Sequence, residues 1–272
     1  MVKRKIIQWL TTFLYNANLP GFLQGHIYRG PLKSVCVPGL NCYSCPGALG
    51  ACPLGSLQSS VSGAILHFPF YVLGIILLTG LLFGRLICGW ACPFGLVQEV
   101  LYKLPTPKVK LHKRFHKLAY LKYIIAIIFL LILPLAFYYA NGLGLPAFCK
   151  YICPAGTLEA ALPLAAVNND IRNALGNLFF WKLLILCVTV IASIFIYRPF
   201  CRFICPLGAI YSLFNKLSLY GVSITEAKCI NCHKCIAYCP MNCAQVGDRE
   251  CIHCAECANV CPTDAIKLGR KF

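Results

Sequence analysis

The sequence predicts a mostly α-helical membrane protein, with about four transmembrane helices in two parallel repeats and a small cysteine-rich α+β domain at its C-terminal end. Three observations predict it. Hydrophobic residues make up 59% of the 272 positions and charged residues only 12%, where a soluble domain carries about 25% charge. Long apolar stretches alternate with short basic ones. The 20 cysteines recur in two distinct patterns, one among the apolar stretches and one beyond them.

A bilayer crossing needs about 20 mostly apolar residues. Val61–Gly84 has no charge and one histidine, His67, while Leu118–Ala140 is interrupted only by Lys122. Phe179–Tyr197 carries Lys182 close enough to its end to snorkel. Ile6–Tyr28 is uncharged, but Asn16, Asn18, Pro20 and Gly21 dilute it, so it reads as a kinked span or a re-entrant helix. These spans define a membrane domain over residues 1–220 and leave 221–272 as a domain of its own.

Lys and Arg number 25 against 8 Asp and Glu. Such a surplus is a usual mark of nucleic-acid binding, but these basic residues cluster between the apolar spans and read as topology signals. Met1–Lys5 holds three, Arg85–Lys122 eight, and the stretch from Arg198 onward nine. The other connections hold only Arg29 and Lys33, and Lys150 and Arg172. The positive-inside rule then places both termini, the Arg85–Lys122 loop and the C-terminal domain in the cytoplasm, and the Cys36–Cys52 loop outside. The expected location is the cell membrane, crossed several times, with the lipid bilayer as partner and no nucleic acid.

From Cys229 the chain reads Cys229-Ile-Asn-Cys232-His-Lys-Cys235-Ile-Ala-Tyr-Cys239-Pro240, and it repeats as Cys251-Ile-His-Cys254-Ala-Glu-Cys257-Ala-Asn-Val-Cys261-Pro262. These two C-x2-C-x2-C-x3-C-P runs resemble a bacterial two-cluster ferredoxin at every ligand position. The resemblance implies two [4Fe–4S] clusters, the fourth cysteine of each run serving the other cluster. One site would be Cys229, Cys232, Cys235 and Cys261; the other would be Cys251, Cys254, Cys257 and Cys239. Zinc sites are the rival, but zinc ligand pairs are set apart by a long gap. Cys243 falls outside both runs and reads as a plain buried thiol.

A second repeat runs through the membrane part: Cys52-Pro-Leu-Gly55, Cys92-Pro-Phe-Gly95, Cys153-Pro-Ala-Gly156 and Cys205-Pro-Leu-Gly208. Three copies have a partner four residues earlier, at Cys88, Cys149 and Cys201; in the first copy that place is Ala48, with Cys45 and Cys42 upstream. Proline disfavours helix in the residue before it and suits the first helical position, so each motif cysteine is expected where a helix begins. The free N–H groups and positive dipole end there suit an anionic cluster. With the topology above, each half of the membrane domain runs span, outer motif, span, inner motif. Such a parallel repeat has its pseudo-twofold axis along the membrane normal. It brings Cys88, Cys92, Cys201 and Cys205 together as one inner site. Outside, Cys36, Cys42, Cys45, Cys52, Cys149 and Cys153 compete for one cluster, and spacing does not choose among them.

The C-x3-C-P motifs followed by the two-cluster runs resemble a membrane iron–sulfur family. It includes the quinol-oxidising subunit of periplasmic nitrate reduction, the nitrous-oxide reductase regulator and the iron–sulfur protein of cytochrome-oxidase assembly. The likeness is sharpest at Phe83-Gly-Arg-Leu-Ile-Cys88-Gly-Trp-Ala-Cys92-Pro-Phe-Gly95. It implies electron transfer between a cytoplasmic carrier, membrane quinone and an extracytoplasmic partner, as redox partner proteins of a membrane complex. The eight C-terminal cysteines with one inner and one outer set make the expected number of [4Fe–4S] clusters four. The alternative, which the same cysteines would serve, is an assembly or regulatory factor that supplies electrons for metalloenzyme maturation. The chain departs from the common pattern of two C-x3-C-P motifs by a third copy and a cysteine-rich first loop.

Other features take the plainer reading. Arg85, Arg198 and Arg202 would offset cluster charge. His112 and His116 suit lipid headgroups. A haem between His26 and His67 lacks a matching pair in each span. Cys187 is expected to pack inside its span and Trp90 to shield its site. No nucleophile triad, phosphate loop or dinucleotide fingerprint is present in the sequence.

Overall fold

The computed structural model describes residues 2–61, 69–109 and 113–271. His67 and His112 lie outside the described residues, as do the side chain of His116 and positions 62–68 of the expected Val61–Gly84 span. The described chain is about 60% helix and has a single two-stranded sheet among the described residues.

Two helices, Lys117–Asn141 and Asn177–Phe195, are long and apolar enough to cross a membrane, with a mean hydropathy of 2.4 each. The core helix of a soluble protein would be mostly buried. These are only 22% and 17% buried, and Ile127, Leu131, Val188 and Ile191 are each more than half exposed. Cys187 stands exposed among them rather than packing inside its span. The first long helix carries a π-helical stretch at Ile127–Ile132, just ahead of Pro134. A proline within a helix lacks the N–H its turn requires, and a wider turn absorbs the loss. The carbonyl of Phe129 is then free for the Gln58 side chain, which donates to it at 2.9 Å. The helix Pro154–Val167 repeats the pattern, with a π stretch at Thr157–Ala161 ahead of Pro163.

Of the other two expected spans, one is described only in part and the other is divided. The described part of the Val61–Gly84 span forms the helix Phe70–Phe83. The weak first span is not one helix. Val2–Tyr15, about 21 Å long at 1.5 Å per residue, ends at Asn16, and a separate short helix follows at Leu19–Gln24. The break occurs because the chain there binds the cysteine-rich loop: Asn16 donates to Asn41, Asn18 to the Pro46 carbonyl, and Leu49 N–H to the Tyr15 carbonyl. The first helix is amphipathic in the inverted sense. Arg4 and Gln8 are buried, while Ile6, Trp9, Leu10 and Phe13 are more than half exposed.

Beyond residue 219, strand β1 (Tyr220–Ile224) pairs antiparallel with strand β2 (Ile266–Arg270), in register from Tyr220 opposite Arg270 to Ile224 opposite Ile266. Both cysteine runs between them share one backbone. Asn231, His233 and Asn242 in the first, and His253, Ala255 and Asp264 in the second, take positive φ at matching positions. Those left-handed turns curl the chain so that successive thiols face inward.

This unit is docked on the helices by buried polar contacts. Asn215, fully buried, donates to the carbonyls of Asp248 and Cys251 and accepts from Arg85 N–H and His253 Nε2. Glu250 sits between Arg85 at 2.6 Å and Lys122 at 2.5 Å, both fully buried. Arg4 reaches Glu256 at 3.2 Å. Trp90 donates its indole N–H to the His253 carbonyl at 2.9 Å, so its role is to join the two parts rather than to shield a site.

Candidate metal centres

All four Cys-Pro-x-Gly motifs start helices: Pro53–Val61, Pro93–Tyr102, Pro154–Val167 and Pro206–Phe214. Cys92, Cys153 and Cys205 have the extended backbone that the following proline imposes. In every copy the glycine N–H points back at the motif sulfur: Gly55 to Cys52, Gly95 to Cys92, Gly156 to Cys153 and Gly208 to Cys205. A helix start thus offers a thiolate one hydrogen bond from its own first turn.

Cys88, Cys92, Cys201 and Cys205 line one cavity, although more than a hundred residues separate the two pairs. Two arginines cross over to hold it. Arg85, three residues before Cys88, donates to the Cys201 carbonyl at 3.3 Å; Arg198, three before Cys201, donates to the Cys88 carbonyl. Arg198 also lies over Gly95, where an added Cβ would come within 2.9 Å of its guanidinium. Both arginines are buried and both are paired, Arg85 with Glu250 and Arg198 with Glu99 at 2.7 Å. Gln98 donates to the Cys201 sulfur at 3.0 Å. No motif marks Gln98, and sequence reasoning missed it. Arg202 stands elsewhere, lining a cleft with Cys239, so it faces the C-terminal unit and not this cavity.

A second cavity, of about 610 Å³, is lined by Cys42, Cys52, Cys149 and Cys153. Of the six competing outer thiols, Cys36 and Cys45 are the two that do not line it. Cys36 bridges to Ala51, and Cys45 contacts Asn16 at 3.6 Å. The Cys42 N–H donates to Glu159 at 2.7 Å. The loop carrying these thiols does not stay at one surface, because Leu40 lines both this cavity and the Cys88–Cys205 cavity.

In the C-terminal unit, Cys229, Cys232, Cys235 and Cys261 line one cavity, and Cys239, Cys251, Cys254 and Cys257 another, which Cys235 also borders. The fourth cysteine of each run therefore stands with the other run. Cys243 is buried, but it is not an isolated thiol. It lines the second cavity and hydrogen-bonds the sulfurs of both Cys239 and Cys251. Its thiol holds Cys239 down at about 7 and Cys251 well below the ordinary thiol range, while its own value is pushed up by the same two bonds.

Among the described residues, no three His, Cys, Asp or Glu groups converge closely enough to hold a single metal ion. A cubane asks for something else: four thiolates, each on a different iron at a corner of a cube. Four all-cysteine sets, each surrounding a cavity and carrying N–H donors, fit that group. Single-ion zinc sites do not fit. His26 is exposed, just beyond the C-terminal end of the short helix.

Comparison with known proteins agrees with this chemistry. A family profile described as a 4Fe–4S binding domain matches residues 65–114, 123–162 and 178–220, and a second with the same description matches 244–267. The chain carries 4Fe–4S binding domains in both its helical part and its C-terminal unit. Two uncharacterized proteins of Methanocaldococcus jannaschii are similar to this 4Fe–4S protein. One is 33% identical over 61% of the chain and 63% of its own length, the other 30% over 58% and 52%. The ferredoxin-type protein NapH of Escherichia coli is 26% identical over 69% of the chain and 59% of its own length. The chain thus spans less than two thirds of each of these relatives. No solved structure matches it.

Proposed function

We propose that the chain is an integral-membrane electron-transfer subunit with four [4Fe–4S] clusters. The ligand sets are Cys229/Cys232/Cys235/Cys261, Cys239/Cys251/Cys254/Cys257, Cys88/Cys92/Cys201/Cys205 and Cys42/Cys52/Cys149/Cys153. The observation that carries the reading is that consecutive sets touch. Cys235 borders both C-terminal cavities. Ile252, between ligands Cys251 and Cys254, lies against Gly89, the residue after Cys88, where an added Cβ would come within 2.2 Å of the Ile252 carbonyl. Leu40 lies between the two membrane cavities. Four redox groups would then stand in line with short protein bridges between neighbours.

The ends of that line name the partner classes. Cys232 and Ile230 are exposed, which suits docking of a cytoplasmic electron carrier at the first set. The large cavity at the opposite end, walled by Leu54, Phe148 and Leu164, suits a quinone head group or an extracytoplasmic redox partner. Residues 1–220 form the membrane domain in this reading, 221–272 the ferredoxin-like domain. When bound, the clusters accept and give up one electron each; the chain's part is to hold them, exclude water and donate hydrogen bonds to their sulfurs.

The test is iron and acid-labile sulfide on anaerobically purified protein, followed by redox-titrated EPR. Sixteen irons per chain are expected, at four per cluster. Cys88→Ser and Cys201→Ser should each perturb the same signal, and the double change should add little, since members of one unit are non-additive. Eight irons, or two signals lost independently, would overturn the membrane part of the proposal.

A further inference from the structure

A cation recurs at the same point of all four membrane motifs. In each, a Lys or Arg donates to the backbone carbonyl of the residue four positions before the motif cysteine. Arg198 donates to Cys88, Arg85 to Cys201 at 3.3 Å, Lys182 to Cys149 at 3.3 Å and Lys33 to Ala48 at 2.7 Å. The four come from different places in the chain. The arginines reach across between the two halves of the membrane domain, whereas Lys33 and Lys182 each serve their own half. The contact therefore recurs where no common sequence motif dictates it. Lys182 also comes within 3.9 Å of where a Cβ on Gly156 would stand, and that position is 3.7 Å from the Cys42 sulfur.

The Ala48 copy is the informative one. It lacks the thiol that Cys88, Cys149 and Cys201 supply, yet it has the cation. A contact that served only the missing cysteine would have no use there. It has a use if the cation serves the site, whose fourth thiol at that end comes from Cys42 instead. Charge points the same way. Arg85 and Arg198 each have a carboxylate partner, Glu250 and Glu99, shared with other cations, whereas among the described residues neither Lys33 nor Lys182 has one within ion-pair distance. Lys182 lines the four-thiolate cavity and Lys33 holds the Ala48 turn of its first motif. Glu159, bonded to the Cys42 N–H, makes an ion pair with neither, so an anionic cluster is the group their charge would match.

We infer that Lys33 and Lys182 are positioning residues of the outer cluster: they fix the carbonyl turn before each motif cysteine and raise the cluster's reduction potential by their charge. This rests on the proposed iron–sulfur reading. A positive charge close to a buried redox group stabilises the state with the extra electron, and the low dielectric around it amplifies the effect.

The experiment is redox-titrated EPR of full-length Lys182→Met, Lys33→Met and Lys182→Arg in the membrane-extracted protein, with iron counted in each. The outer signal is identified as the one lost in Cys149→Ser. Both Met variants should shift that signal's midpoint potential downward and leave the other three in place, and Lys182→Arg should restore it. Loss of four irons in Lys182→Met, recovered in Lys182→Arg together with the original potential, supports the same conclusion. An unmoved potential at full iron content in both Met variants overturns it. Only eight irons in the unmodified chain would instead sink the four-cluster reading itself, so the two failures are told apart.

Discussion

Cys42 and Cys45 stand three residues apart in one loop, and no spacing rule separates them. Side-chain surroundings do. Cys42 lines the cavity with Cys52, Cys149 and Cys153, whereas Cys45 turns toward Asn16. The consequence is sharp. Cys42→Ser should cost four of sixteen irons and remove the signal that Cys149→Ser removes; Cys45→Ser and Cys36→Ser should keep all sixteen. Equal iron loss in Cys42→Ser and Cys45→Ser would show the assignment to be mistaken. Cys243 makes the complementary point. A cubane takes four thiolates, and six thiols line that cavity. Cys235 also lines the neighbouring cavity with its own run, so Cys243 is the one left to donate a hydrogen bond rather than to ligate. The grouping of the eight cysteines of the two C-terminal runs around two cavities was legible because their spacing is a local pattern. Cys243, Gln98, Lys33 and Lys182 were not, because their positions depend on how distant segments pack.

At the scale of elements, the proline of each motif gave away a helix start, since its constraint on the preceding residue is local. The break after Tyr15 was legible only as a weakness in composition, because its cause is a set of bonds to a loop some 30 residues on. The docking of the C-terminal unit was not legible at all: Glu250 lies beyond every motif, yet it carries Arg85 and Lys122. Burial works against its charge, but those two cations hold its carboxyl below the ordinary value of 4.5. A depressed carboxylate contributes stability that is complete above 4.5 and is lost as pH falls through the lowered value. Docking should therefore loosen only under acid conditions. Glu250→Gln should mimic that at neutral pH by leaving two buried cations unpaired, at a cost of about 3 kcal/mol. Hydrogen exchange at β1 and β2 is the readout. Exchange rates unchanged in Glu250→Gln would mean that Asn215 and Trp90 hold the domain without the ion pairs.

Over the whole molecule, composition foretold a mostly helical chain with helices long and apolar enough to cross a membrane, and the structure adds a direction. The helix Lys117–Asn141 starts beside the C-terminal unit, where Lys122 meets Glu250, and leads to the outer cavity at Cys149. The helix Asn177–Phe195 returns, from Lys182 at the Cys149 carbonyl to Arg198 at the Cys88 carbonyl. One end therefore gathers Arg4, Lys5, Arg85 and Arg198 with the ferredoxin-like unit, while the other holds Lys33 and Lys182. If a bilayer surrounds the exposed apolar faces, the basic end is the one retained in the cytoplasm. A single prediction joins these observations. Reporter fusions after Lys117 and after Asp170 flank the first long helix, and they should report opposite sides: cytoplasmic after Lys117, external after Asp170. Labelling of introduced cysteines would be confounded by the native 20, so fusions are the cleaner measurement. If both reported the same side, the helix would not cross, and the inner and outer sets would lie on one face. The contacts at Leu40 and at Gly89–Ile252 would survive that outcome, but they would describe a surface relay along the membrane rather than a line leading through it.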